Sequence, residues 1–154
     1  MKLLSLLITM VYLILNGSLT CAEDTVKVAA IFSKTGKAAL ENAPALNGIR
    51  FAVKELNQQG GVLGKQLELL EFDNKSTAIG SKIAAKRAIN ANVLTVFVAL
   101  WSSHSLAVAP VCQAAKISMI APASTNPKIT LVGDYIFCAC FIDSFQGKIL
   151  ARSY

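Results

Sequence analysis

Short apolar runs alternate with longer stretches of helical periodicity along most of this chain, and that alternation constrains its fold more than any other feature. Val26–Phe32 (VKVAAIF) is almost wholly apolar and bounded by polar residues, as a strand buried on both faces must be. After a Gly-bearing loop, Ser33–Lys37, the apolar positions Leu46, Ile49, Ala52, Val53 and Leu56 recur at three and four, which predicts a helix over 38–59. Gly60 and Gly61 end it, because glycine takes the left-handed conformation of a helix terminus without penalty. The same reading predicts a second strand over 66–72, a helix over 77–91, a fully buried strand over 94–100 and a helix over 102–115. Strands over 117–121 and 134–141 follow, with a last helix beginning at Phe145. Strand–helix alternation with buried strands implies an α/β fold, a parallel sheet with helices on both faces.

In such sheets ligands sit beyond the carboxyl ends of the strands. Three loops fall there: Ser33–Lys37, Trp101–Ser105 and Pro122–Pro127. Trp101-Ser102-Ser103-His104-Ser105 joins a strand end to a helix start. Its hydroxyls suit capping of the helix N–H groups, and the same groups suit a small anion such as a carboxylate. Pro122-Ala123-Ser124-Thr125-Asn126-Pro127 brings two more hydroxyls to that edge.

The residues make no case for catalysis or for a cofactor. His104 is the only histidine, has no nucleophile-elbow Gly-x-Ser-x-Gly beside it, and reads as a partly exposed first-turn residue. Gly60-Gly61-Val62-Leu63-Gly64-Lys65 lacks the first Gly and the final Ser/Thr of a phosphate loop and runs from helix to strand, the wrong direction. Glu68, Glu71 and Asp73 read as a solvated edge or as structural hydrogen bonding. The formal charge of +6 is scattered, and no aromatic is interleaved with basic residues, so a nucleic-acid partner is not expected. With 54% hydrophobic and 16% charged residues the chain is not disordered in composition.

The N-terminus carries an address. Lys2 precedes an apolar run over 3–15, too short for the ~30 Å hydrocarbon core, and small residues follow Asn16-Gly17-Ser18. Residues 1–22 therefore read as a secretory signal peptide cut after Ala22, leaving 23–154. Cys21 admits a second reading, a lipid anchor, although Ser18 and Leu19 fit a lipobox poorly. If Cys21 leaves with the leader, Cys112, Cys138 and Cys140 remain, an odd count that leaves at least one thiol unpaired. Cys138 and Cys140 would share one face of a strand, with Cα atoms about 6.6 Å apart, near the limit for a bridge. They read as buried, inert thiols, and one C-x-C with a distant histidine does not make a metal site.

The pieces VKVAAIFSKTGKAA, NGIRFAVKELNQQGGVLGKQLELLEFDN, WSSHSLAVAPV, IAPASTNP and FIDSFQG occur in this order between Val26 and Gly147. Together they resemble the N-terminal lobe of the branched-chain amino-acid-binding type of ABC-transporter substrate-binding protein. The resemblance implies a type I periplasmic binding fold, two α/β lobes that close over a small ligand, with only the first lobe present here. It implies a non-enzymatic, periplasmic protein that binds an amino acid or related small amide and delivers it to an inner-membrane permease. Ser102 and Ser103 match the family's serine pair, whose hydroxyl and N–H groups hold the α-carboxylate. Ala123, Ser124 and Thr125 match the segment that holds carboxylate and ammonium.

Three departures stand out. Glu41 replaces an aromatic common in the family, Lys37 replaces a common Pro, and Cys138 replaces the Arg of an R-x-C segment. The sequence ends at Tyr154, before a second lobe, and a single lobe leaves a ligand half solvated, so weak binding by 23–154 alone is expected. Two other readings fit the same residues: the ligand-binding domain of a receptor or regulator, and a truncated, non-functional fragment.

Overall fold

The computed structural model describes residues 25–98 and 100–153; the leader and Cys21 lie outside them. Among the described residues five strands form one parallel sheet: β1 (Val26–Phe32), β2 (Leu67–Asp73), β3 (Thr95–Val98), β4 (Ser118–Ala121) and β5 (Ile136–Cys138). The helices are α1 (Ala39–Gln58), α2 (Ala78–Asn90), α3 (Ser102–Ala115) and α4 (Asp143–Arg152), with a short 3-10 turn at Thr130–Val132. No described helix is long and apolar enough to cross a membrane.

The strand order is β2-β1-β3-β4-β5. From β1 the chain steps outward to β2, then returns past β1 to β3 and continues the other way. Right-handed crossovers in opposite directions put their helices on opposite faces. Accordingly α1 packs on one face, where Ala30, Phe32 and Leu46 are buried with Ala45, Ile49, Leu69 and Phe97 against them. On the other face α2 and α3 cover Ala29, Ile31, Val96, Val98 and Met119, using Ala84, Ala85, Ala88, Val108, Ala109 and Cys112. Small residues on α2 let it approach the sheet closely. Beside it Ile129, just before the 3-10 turn, and Ile136 close the same core.

Local signals explain the element ends. The Thr77 hydroxyl accepts from the Gly80 N–H at 2.9 Å and caps α2. Gly60 (φ +97°) and Gly61 (φ +79°) carry the chain out of α1 as expected of glycine. Lys116 takes the left-handed conformation after α3, in place of a glycine.

Where the structure differs from the sequence reading, the ends of strands are involved. β3 is not buried throughout, since Thr95 and Phe97 are half-buried on the face that α1 covers less completely. β5 is three residues long rather than eight: it is an edge strand, and after Cys138 the chain bends away at Ala139 and Cys140. Cys138 and Cys140 are therefore half-buried, against the expectation of buried thiols; Cys112 is in the core, and Cys138 packs against it. The last helix begins two residues earlier than expected, at Asp143, and buries none of its residues.

Candidate functional site

β1 and β3 are neighbours, and the chains leaving them diverge, to α1 on one face and to α3 on the other. That divergence opens a crevice at the carboxyl edge of the sheet. Its walls are the loop 33–38, the start of α3, and the loop after β4.

The first wall is held by the loop after β2. Asp73 accepts from the N–H groups of Lys34 (2.9 Å), Thr35 (3.3 Å) and Lys75 (2.8 Å), and from the Thr35 hydroxyl at 2.6 Å. Partial burial alone would raise its pKa; the Thr35 hydroxyl and these N–H groups outweigh burial and lower it. Ser76 reaches across as well, accepting from the Ala38 N–H at 3.0 Å and donating to the Thr35 carbonyl at 2.7 Å. Gly36 (φ +83°) is required here, because a Cβ would meet the Ser76 hydroxyl at 2.8 Å. Glu71 takes Arg50 of α1 and Lys34. Glu71 and Asp73 thus serve the structural role that the sequence suggested.

Beneath the crevice floor lies a buried polar cluster. The amide oxygen of Asn74 accepts from the Ser33 hydroxyl at 2.8 Å and from the Ser76 N–H at 2.9 Å, while its amide nitrogen faces His104 Nδ1 at 3.3 Å. His104 is 2% exposed, not partly exposed as its place in the first helical turn suggested. Burial lowers its pKa, against a backbone hydrogen bond with Ser76 that raises it, and nearby Lys37 lowers it further. A neutral imidazole accepting from Asn74 at Nδ1 fits all three partners. This is a structural histidine.

The second wall is α3. Trp101 occupies the cap position without a side-chain capping bond, so Ser102 and Ser103 stand inside the first turn rather than capping it. Ser103 is exposed, and Ser102 is half-buried. The Ser102 hydroxyl accepts from the Asn126 N–H at 3.3 Å, which draws the third wall against the second. One turn deeper, the hydroxyls of Ser105 and Ser124 meet at 2.7 Å, and the Ser124 hydroxyl donates to the Leu100 carbonyl at 2.9 Å. Ser124 is fully buried, so its side chain braces the loop, while Ala123 is exposed and Thr125 half-buried at the crevice.

Of the five residues singled out in the sequence, Ser102, Ser103, Ala123 and Thr125 thus share one accessible edge, and Ser124 anchors it from below. The crevice mouth carries a further group that spacing did not show. The Trp101 indole N–H donates to the Glu41 carboxylate at 2.7 Å, and Lys37 Nζ lies 5.4 Å from the indole ring centre. Among the described residues no group of three or more His, Cys, Asp or Glu is placed to hold a metal.

The family whose model matches residues 25–152 is described as periplasmic binding protein. The leucine-specific-binding protein of Salmonella typhimurium is 31% identical over 130 residues, 84% of this chain and 35% of that protein. Among solved structures, the branched-chain amino acid transporter substrate binding protein of Streptococcus pneumoniae, in complex with isoleucine, aligns with a TM-score of 0.79. It shares 31% identity, covering 83% of this chain and 37% of that one. A leucine binding protein from Thermotoga maritima aligns with a TM-score of 0.75 and 37% identity, over 82% and 35% of the two chains. The chain thus spans about a third of the length of the relatives it matches, one lobe of their fold.

Proposed function

This chain belongs to the periplasmic binding protein family, whose members bind solutes and are not enzymes, and from that premise we propose that it is the N-terminal lobe of a substrate-binding protein for a branched-chain type of amino acid. The observation that carries the reading is the Ser102–Asn126 contact: it joins two loops whose accessible hydroxyl and N–H groups face one crevice at the switch point of the sheet.

An α-carboxylate seated there meets the positive end of the α3 dipole, with the hydroxyls and N–H groups of Ser102 and Ser103 as donors. Thr125 and the backbone at Ala123 contact the carboxylate and ammonium, and Ser124 keeps that segment in place from the interior. Ligand delivery to an ABC-transporter permease in the inner membrane follows from the same reading. So does export to the periplasm by residues 1–22, with Cys21 as the site of a lipid if the chain is anchored.

Backbone amide NMR of residues 23–154 under titration with leucine tests the site, because it detects weak binding. Shifts concentrated at 102–103 and 123–125, and lost with leucine amide, which has no carboxylate, are expected. Shifts elsewhere, or equal responses to both compounds, overturn the assignment.

A further inference from the structure

Cys138 and Cys140 converge on one atom. The Cys138 thiol donates to the Ser124 carbonyl at 3.7 Å and the Cys140 thiol to the same oxygen at 3.4 Å. Two sulfurs on one oxygen lie within about 7 Å of each other, and beside burial, which raises the Cys138 pKa most, a Cys140 thiolate is felt at Cys138 and raises it further. An extended strand would hold two such cysteines near the limit for a bridge; here the chain leaves the strand after Cys138 and bends at Ala139 and Cys140. Both thiols are half-buried, whereas Cys112, the remaining thiol among the described residues, is fully buried in the core.

The same short segment is stitched to the crevice. The Ala139 N–H donates to the Ala121 carbonyl at 2.9 Å, and the Asp143 N–H to the Thr125 carbonyl at 2.9 Å. Residues 138–143 therefore support the loop that carries Ala123, Ser124 and Thr125 on both sides of Ser124.

We propose that Cys138 and Cys140 are a redox-responsive dithiol that closes to an intrachain disulfide and, in doing so, reshapes the Ser124 loop. The oxidant is a disulfide, either of a small molecule or of a protein. One cysteine thiolate attacks it, expels one thiolate and forms a mixed disulfide; the second cysteine thiolate then attacks the cysteine sulfur of that mixed disulfide and expels the other. The pair gives up two electrons and two protons, and the oxidant leaves as two thiols. Closure removes both S–H donors from the Ser124 carbonyl, so the change reaches the loop directly. Burial pushes the Cys138 thiol up, and burial with Asp143 does the same at Cys140. With no thiolate stabilised in the reduced form, exchange is slow at neutral pH. Only the meaning of the switch for ligand binding rests on the function proposed above.

Incubation of residues 23–154 with oxidised glutathione, followed by intact-mass and peptide analysis, tests the bond. The native chain is expected to lose the mass of two hydrogens, with Cys138 linked to Cys140 and alkylation of both abolished. Cys138→Ser and Cys140→Ser should each keep a glutathione adduct, since no second thiol resolves it. A stable adduct on the native chain, two thiols that remain alkylatable, or a bridge to Cys112 overturns the proposal. Amide NMR of the oxidised chain, without ligand, tests the relay: shifts at 124–126 are expected, and shifts confined to 138–140 refute it.

Discussion

Ser105 and Ser124 are fully buried and share a 2.7 Å hydroxyl–hydroxyl contact that ties the first turn of α3 to the loop after β4. Neither residue faces the crevice, yet together they set the distance between two of its walls. The accessible residues Ser102, Ser103, Ala123 and Thr125 inherit their spacing from this hidden pair.

Replacing Ser105 with Ala removes one buried hydrogen bond while the Ser124 hydroxyl keeps the Leu100 carbonyl, which costs about 0.5–1.5 kcal/mol. Urea unfolding of Ser105→Ala, Ser124→Ala and the double variant should show a destabilised chain in each case. The two losses should couple, because the residues are in contact; losses that add to within about 0.5 kcal/mol would show that the contact carries no energy.

Trp101 is the sole tryptophan, so its emission reports on the crevice mouth alone. With the indole N–H bound to Glu41 at 2.7 Å and Lys37 above the ring, its motion is restricted from two sides. Glu41→Ala should lower the fluorescence anisotropy of Trp101 and shift its emission, with little change in overall stability, since Glu41 is exposed. Unchanged anisotropy would mean that packing against His104, whose ring centre lies 5.4 Å away, already fixes the indole.

Gly80 sets two effects against each other. Glycine in a helix is less favourable than alanine by about 0.8–1 kcal/mol, so propensity favours Gly80→Ala. A Cβ at this position, however, would collide with the Asn74 backbone carbonyl and crowd the Thr77 hydroxyl that caps α2. Asn74 is fully buried and partners Ser33, Ser76 and His104, so its backbone has little room to give. Overpacking of this kind costs about 1–3 kcal/mol. The substitution should therefore lower Tm despite the better helix former. A rise in Tm would show that the start of α2 slides freely.

The sequence was most legible where structure is decided locally. β1 and α3 run between the residues expected of them, because an apolar run with polar ends, and a periodic segment between Trp101 and Lys116, carry their own boundaries. The order of loops placed Ser102, Ser103, Ala123 and Thr125 on one edge for the same reason. What escaped depends on contacts between distant residues. His104 is buried because Asn74, thirty positions away, reaches its ring. Ser124 turns inward because its hydroxyl donates to the Leu100 carbonyl and meets the Ser105 hydroxyl. The chain leaves the sheet after Cys138, taking Cys140 out of it, because β5 is an edge strand with a single neighbour, and alternation along the chain says nothing about where an edge stops pairing.

Glu71 makes acid sensitivity testable. It accepts two bonds from the Arg50 guanidinium, at 2.6 and 2.7 Å, and one from Lys34 at 2.8 Å, joining α1 and the first crevice loop to β2. The Arg50 bonds, with Lys34 assisting, outweigh burial and lower its pKa from an ordinary 4.5 to about 2. A carboxylate depressed in the folded state contributes stability that is complete above its unfolded value and is lost as pH falls through its folded one. Glu71→Gln should therefore lower Tm at neutral pH, and its Tm should converge on that of the native chain as pH falls from about 4.5 to about 2. The native chain keeps some acid sensitivity in either form, because Asp73 is also held below its ordinary value. Melting curves that stay parallel down to the lowest pH would show that the Arg50–Glu71–Lys34 arrangement contributes no pH-dependent stability.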